Sequence, residues 1–311
     1  MGEILLPDYK KIASRVQRKT VSVEKEEMED NLIWLQKSRA KLSQITRSCR
    51  MGDFVEIQFA TDVDHKPYQD AFVLGEGKYV PGFENKIEGM AAGEETSFSL
   101  DLPLDYMKKE LAGSKVSFKV KMQSIQKVEL PELTDEFAKS LGEFGGLVQL
   151  RNSLRGGLRR EKEAAESRRI RQEILDNILR ETDFEIPEVF MQAEQKKMME
   201  LLKEEVKQKL QMDFQDYLTK AHQSEDEIRN NFLPEVEKRA RDFLVLRTIA
   251  AAEQIEVAED EVSEGAAQFL NKYSGAQEAE KTLDPAELRA YIKGVILQEK
   301  TLAKLEEYTK T

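Results

Sequence analysis

Between about residues 52 and 128 the hydrophobic pattern of this 311-residue chain switches from a helical period to a period of two, and that switch constrains the fold most. Val55, Ile57 and Phe59 alternate with Glu56 and Gln58; Phe98, Leu100 and Leu102 alternate with Ser97, Ser99 and Asp101; Phe118, Val120 and Met122 alternate with Ser117, Lys119 and Lys121. Successive strand side chains point to opposite faces, so these are three strands with one apolar and one wet face, as in an antiparallel sheet. A one-sided sheet needs a cover. A short helix opening after Pro81-Gly82 is placed to supply it.

The flanks read differently. Residues 1 to 23 are expected to be extended, because Pro7 blocks an early helix and "TVSVE" alternates with period two. From Glu24, the residues Met28, Leu32, Leu35, Leu42 and Ile45 share one helical face, with Arg47 and Arg50 in the last turn and Gly52 as its stop. Past the strands, Thr134 caps a short helix, and longer helices are expected at about 147–182, 188–212, 224–255, 259–273 and 285–308. Pro234 should kink or split its helix. The predicted architecture is α+β: a small antiparallel β domain with a short helix, attached to an elongated all-α domain.

Composition narrows the functional classes. With 34% charged and 7% aromatic residues, much of the chain must face solvent, as in extended helical proteins. The net charge of −11 opposes general nucleic-acid binding, so no direct nucleic-acid partner is expected. The first 50 residues are locally basic, either a solvated helix or a face for an anionic partner. No apolar run reaches the ~20 residues of a membrane span, and "MGEILLPDYKK" has no hydrophobic signal core. Cys49 is the one cysteine, so no intrachain disulfide forms and a reducing compartment is expected. The two histidines, His65 and His222, offer no metal-ligand spacing; neither metal nor cofactor is expected.

The glycine-punctuated stretch "LGEGKYVPG" lacks the G-K-[ST] of a phosphate loop, and Pro81 interrupts the entry to the helix. No Ser/His/Asp or Cys/His grouping suggests covalent catalysis. What the β region does hold is Phe59, Tyr68, Phe72, Tyr79, Val80, Phe83, Tyr106 and Phe118. Val55, Ile57 and Phe98 read as plain core. Tyr79, Val80 and Phe83, beside Gly77, Pro81 and Gly82, read equally well as core or as the floor of a pocket.

"DFVEIQFATDVDHKPY", "FVLGEGKYVPGFENKIEGMAAGEE", "LPLDY" and "KVSFKVKMQSIQKV", in that order, resemble an FKBP-type peptidyl-prolyl isomerase domain. "LPELTDEFAKSLG" after it, "LPDYKKI" and "VSVEKEEMEDNLIWLQ" before it, and "DFEIPEVFMQAE" further on are similar to the linker and arm segments of the trigger factor family of bacterial chaperones. The resemblance spans essentially the whole chain and implies three parts: a linker arm at 1–50, an FKBP-type isomerase domain at 51–128, and a helical chaperone domain with arms at 129–311. The family's Gly-Phe-Arg-x-Gly-Lys loop, which docks on the large ribosomal subunit, has no counterpart in these residues. Ribosome binding is therefore expected only of a form that carries that domain. The abrupt start at the linker reads as an expressed fragment, or else as a natural form without the anchor.

The resemblance implies a bacterial, cytoplasmic peptidyl-prolyl cis-trans isomerase and ATP-independent chaperone acting on unfolded or nascent polypeptides with Xaa-Pro bonds. Phe83 would be the pocket floor, with Phe59, Tyr68, Tyr79, Val80, Tyr106 and Phe118 as walls. Met191, Met198, Met199 and Met212 would give adaptable contact to clients, or fill gaps between helices. Two departures stand out: the connection from Tyr68 to Phe72 is shorter than the family's bulged loop, and Gln69 falls where an acidic residue is common. The alternative is a holdase whose FKBP-like domain is only an auxiliary binding surface.

Overall fold

The structure, a computed structural model, describes residues 4–64, 66–272 and 285–309; His65 lies outside them. Its elements are α1 (Tyr9–Ala13), α2 (Lys25–Ser38), β1 (Lys41–Gln44), β2 (Asp53–Thr61), β3 (Tyr68–Val73), α3 (Phe83–Ile87), β4 (Glu95–Asp101), a 3-10 turn (Lys109–Leu111), β5 (Lys115–Glu129), α4 (Asp135–Leu141), α5 (Leu147–Arg180), α6 (Glu188–Leu210), α7 (Phe214–Ala221), α8 (Glu225–Ala252), α9 (Glu259–Lys272) and α10 (Pro285–Glu307). They gather into two compact units, Val23–Leu158 and Met1–Ser22 with Arg159–Thr311.

In the first unit the strands form one antiparallel sheet in the order β1-β5-β2-β3, with β4 also paired to β5. The period-two pattern sets its inner face: Val55, Ile57, Phe72, Val116, Phe118, Val120, Met122 and Ile125 are all buried. Met122 and Ile125 break strict alternation because the β2–β5 register shifts between Glu56 and Ile57, pairing Glu56 with Ser124 but Ile57 with Met122. That extra residue in β5 is a bulge, and it brings Ile125 back to the inner face. The expected cover is present: α3 places Phe83 and Ile87, both fully buried, against the sheet. Thr134 caps α4 as expected, accepting from the Phe137 amide at 3.3 Å. Phe137 and Ala138 then pack with Leu32 and Leu150.

In the second unit Ile170, Ile174 and Ile178 of α5 repeat every four residues and meet Val245, Leu246 and Ile249 of α8 and Leu305 of α10. Ile12, Ala13 and Val16 complete that core.

Four expectations need correction. The first 23 residues are not all extended: Pro7 precedes a helix rather than preventing one, because Asp8 caps α1 by accepting from the Lys11 amide at 3.1 Å, and the helix buries Ile12 and Ala13. Val21 and Ser22 show no strand, since alternation without a partner strand makes no ladder. The helix from Glu24 ends at Ser38. Leu42 instead faces Val128 across the β1–β5 ladder, and Gly52 sits in a turn with φ +90°, donating to Leu74 O at 2.7 Å. Finally, α8 is not split at Pro234; burial of Ile228, Val236, Ala240 and Leu244 on either side outweighs the lost backbone bond.

Candidate functional site

The aromatic residues of the β unit converge because strand register brings them to one place. Phe59 of β2 is the cross-strand partner of Tyr68 in β3, and Phe98 of β4 is the partner of Phe118 in β5. Facing residues of an antiparallel pair share a face and touch, and both pairs stack, at 5.6 and 5.8 Å between ring centroids. The chain then delivers Phe83 between them. Val80-Pro81-Gly82-Phe83 is a tight turn closed by Phe83 N–H to Val80 O at 3.1 Å. Gly82 takes φ +89°, which a proline-glycine pair accommodates without strain.

Phe83 is the hub. Its ring stacks on Tyr79 at 4.4 Å and meets Phe118, Phe98 and Phe59 edge-on at 5.3, 5.5 and 6.1 Å. Tyr79 also meets Phe59 at 5.6 Å and Phe72 at 5.0 Å. Val80 and Tyr106 pack at the edge of the same cluster, half-buried. The seven residues expected at the site are thus brought together, but their exposure differs. Phe83 is 0% exposed, whereas Tyr68 is 43% exposed, so the floor is roofed by Tyr79 and the neighbouring rings while Tyr68 stands at the rim.

Two site residues were missed. Phe98, read as plain core, is half-buried and forms one wall against Phe83 and Phe118. Asp70 supplies the carboxylate that Gln69 lacks: it accepts from the Tyr79 hydroxyl at 2.6 Å, Lys78 Nζ at 2.7 Å and the Ala71 amide at 2.8 Å. The signal was available, since Tyr68, Asp70 and Phe72 are spaced by two on β3 and so share the inner face. Burial alone would lift the Asp70 pKa, but the bonds from Lys78 and Tyr79 outweigh it and hold the group below its ordinary value. Burial, then the bond to Asp70, pushes the Tyr79 phenol well above its ordinary value. Tyr68 donates to Asp64 at 2.5 Å, which raises the Tyr68 phenol and lowers Asp64. Both hydroxyls are therefore fixed neutral donors at neutral pH. What the arrangement offers chemically is a shaped aromatic surface, with Phe83 covered and Tyr68 exposed at its rim.

In the helical unit, Met191 and Met198 of α6 and Met212 beyond it are half-buried, while Met199 is 4% exposed. A crevice of about 340 Å³ lies there, lined by Phe190, Ala193, Phe243, Tyr291, Gly294 and Val295 among others, with the Lys197 ammonium 5.2 Å from the Tyr291 ring centre. The four methionines do not line it. No helix among the described residues is long and apolar enough to cross a membrane.

Comparison with known proteins adds to this geometry. Residues 46–123 match the family described as FKBP-type peptidyl-prolyl cis-trans isomerase, and residues 146–307 match bacterial trigger factor protein (TF) C-terminus. The trigger factor of Shouchella clausii (strain KSM-K16) is 33% identical over 292 residues, covering 90% of this chain and 66% of that protein. Trigger factor of Halothermothrix orenii is 30% identical, covering 94% and 69%, and that of Pelotomaculum thermopropionicum 31%, covering 98% and 71%. The chain spans about two thirds of the length of these relatives. A solved structure described as "Promiscuous Substrate Recognition in Folding and Assembly Activities of the Trigger Factor Chaperone" overlays with a TM-score of 0.51 at 21% identity, covering 98% of this chain and 72% of that one.

Proposed function

Because the chain belongs to the trigger factor family, we propose that it is a cytoplasmic peptidyl-prolyl cis-trans isomerase and ATP-independent chaperone for unfolded or nascent polypeptides. The isomerase module is residues 51–128, with 1–50 as linker arm and 129–311 as the chaperone body. The observation that carries the reading is the aromatic nest around Phe83.

Rotation about a prolyl bond is slow because it breaks amide resonance, a barrier of ~18–20 kcal/mol. The twisted amide has lost that resonance and much of its charge separation, so it tolerates an apolar, water-poor site better than either planar form does. No nucleophile is required. Tyr68, Phe59, Tyr79, Val80, Phe98, Tyr106 and Phe118 would surround the proline ring over the Phe83 hub, with the Tyr68 and Tyr79 hydroxyls neutral and engaged by Asp64 and Asp70. The half-buried methionines of the helical unit, Met191, Met198 and Met212, would contact apolar client segments, with Met199 supporting them from within.

One observation favours a second reading, a holdase with an inert FKBP-like module: Phe83 is completely covered, and a substrate reaches it only if a roofing ring moves. The intact chain, tested on a proline-limited refolding reaction and on a short prolyl peptide, separates the two. Tyr68→Ala trims a ring that stands at the rim, so its stability cost is small, and it should lower the peptide rate about ten-fold. A wild-type chain that prevents aggregation but accelerates neither reaction would place it among the holdases.

A further inference from the structure

The loop between β3 and α3, residues 74–82, delivers Tyr79 and Val80 to the aromatic nest; Asp70 ties the Tyr79 hydroxyl and Lys78 Nζ, but the 75–79 backbone takes part in no strand ladder. Gly75, Gly77 and Gly82 all have positive φ, +99°, +70° and +89°, and glycine brings the greatest backbone freedom. A cleft of about 370 Å³ borders the loop, lined by Met51, Gly75, Gly77, Tyr79, Val80 and Glu84 among others. The loop backbone beside that cleft therefore needs partners of its own.

What closes the gap is Glu84, the residue after Phe83. It is 6% exposed, and its carboxylate collects the backbone of the loop. Oε2 accepts from the amides of Gly75 at 2.6 Å and Gly77 at 3.3 Å, and Oε1 from those of Lys78 at 2.7 Å and Tyr79 at 3.5 Å. A buried carboxylate is tolerated only when several donors compensate its lost hydration, and here the donors are four amides of a single loop. The same helical turn carries Phe83, whose ring stacks on Tyr79 at 4.4 Å. One side chain thus ties the hub of the nest to its roof.

We infer that Glu84 is a positioning residue for prolyl isomerisation: by clamping the 75–79 amides it fixes Tyr79 and Val80 against Phe83 in the geometry that fits the twisted amide. The inference rests on the isomerase reading above. Small displacements of a catalytic wall cost rate steeply, up to about 10²-fold for ~1 Å, so loosening the clamp should reduce turnover without unfolding the sheet.

The test is Glu84→Gln in the intact chain, which keeps the size and one carbonyl acceptor but turns an NH₂ group toward amide donors. Two readouts are taken: kcat/KM on a prolyl peptide, and amide hydrogen exchange at Gly75, Gly77, Lys78 and Tyr79 against Val55 and Val120 in the sheet. The expected result is an about ten-fold fall in kcat/KM with faster exchange confined to the loop. Unchanged kcat/KM overturns the inference, and so does a loss of activity matched by equal loss of protection at Val55 and Val120, which would make Glu84 a general stabiliser. If Glu84→Gln does not fold, Glu84→Asp, which keeps the charge but shortens the reach, is read by the same two measurements. An inactive wild-type chain would sink the isomerase reading and this one together, whereas an active wild type with an equally active Glu84→Gln sinks this one alone.

Discussion

Phe83→Ala is the substitution that most directly tests the packing of the nest and the division of labour between the two units. The ring is fully buried and touches Tyr79, Phe118, Phe98 and Phe59 at centroid distances of 4.4 to 6.1 Å. Truncating a buried Phe costs about 3–5 kcal/mol, and the cost is highest where the surroundings cannot collapse into the cavity. Three of the four neighbours are held by paired strands, β2, β4 and β5, so collapse is limited and the upper part of that range, about 4–5 kcal/mol, is expected. Against a total domain stability of about 5–15 kcal/mol the β unit should remain folded in the cold but melt far earlier, on the order of 15 °C lower. Calorimetry would locate the transition, and hydrogen exchange at the β2 and β5 amides would assign it to that unit. Isomerase activity, measured well below the new transition, should be lost because the hub on which Tyr79 rests is gone. Suppression of client aggregation should persist, since the helical unit has its own core. A melting shift under about 3 °C would show that the ring is not packed as described. Equal loss of isomerase and anti-aggregation activity would refute the division of labour.

Two further predictions concern the helical unit. Glu253 accepts from Tyr9 and Tyr308 hydroxyls at 2.6 and 2.8 Å and pairs with Lys10 at 2.9 Å, and these partners hold it down at about 2; Arg169, then the Lys19 amide, hold Glu166 at about 2 as well. A folded-state pKa below the unfolded one contributes stability above about 4.5 that is lost as pH falls toward 2, so the unit's melting temperature should drop steeply across that window and Glu253→Gln should flatten the drop; a pH-independent transition would refute the linkage. Asp242 has a buried Oδ1 without a hydrogen-bond partner, and burial, with Asp176 and Glu235 adding and Lys238 opposing, lifts it to about 6. Ionising it costs stability increasingly between pH 3.8 and 6, about 3 kcal/mol in full and about 2 kcal/mol once solvent screening of a half-buried group is counted, so Asp242→Asn should raise the transition at pH 7 by the equivalent of about 2 kcal/mol and give almost nothing near pH 3.5; equal gain at both pH values would contradict the assignment.

Several elements were legible because their causes are local. The alternation of Val55, Ile57 and Phe59 alone predicts a half-buried strand, Thr134 followed by Asp135 predicts a capped helix, and Pro81-Gly82 predicts a turn into a short helix. Each depends on residues within a few positions of one another, which is the range over which dihedral preference and capping act. The isoleucine ladder of α5 belongs with them, since its four-residue spacing is both the pattern and the contact.

Other features exist only through partners remote in the chain. Lys41–Gln44 is a strand because Val128 and its neighbours pair with it; its own sequence continues a helical period, and ladder hydrogen bonds outweighed that weak preference. Tyr9–Ala13 is helical because Ile12 and Ala13 gain a core with α5, α8 and α10. At the site, turn chemistry left Tyr79, Val80 and Phe83 open between core and pocket floor, and the family resemblance implied the walls. Neither could show that Phe83 is roofed, that Asp70 replaces the acid absent at Gln69, or that Glu84 gathers four amides of a glycine loop. Those depend on where donors and rings converge in space, and convergence is decided by strand register and by the fold of α3 onto the sheet.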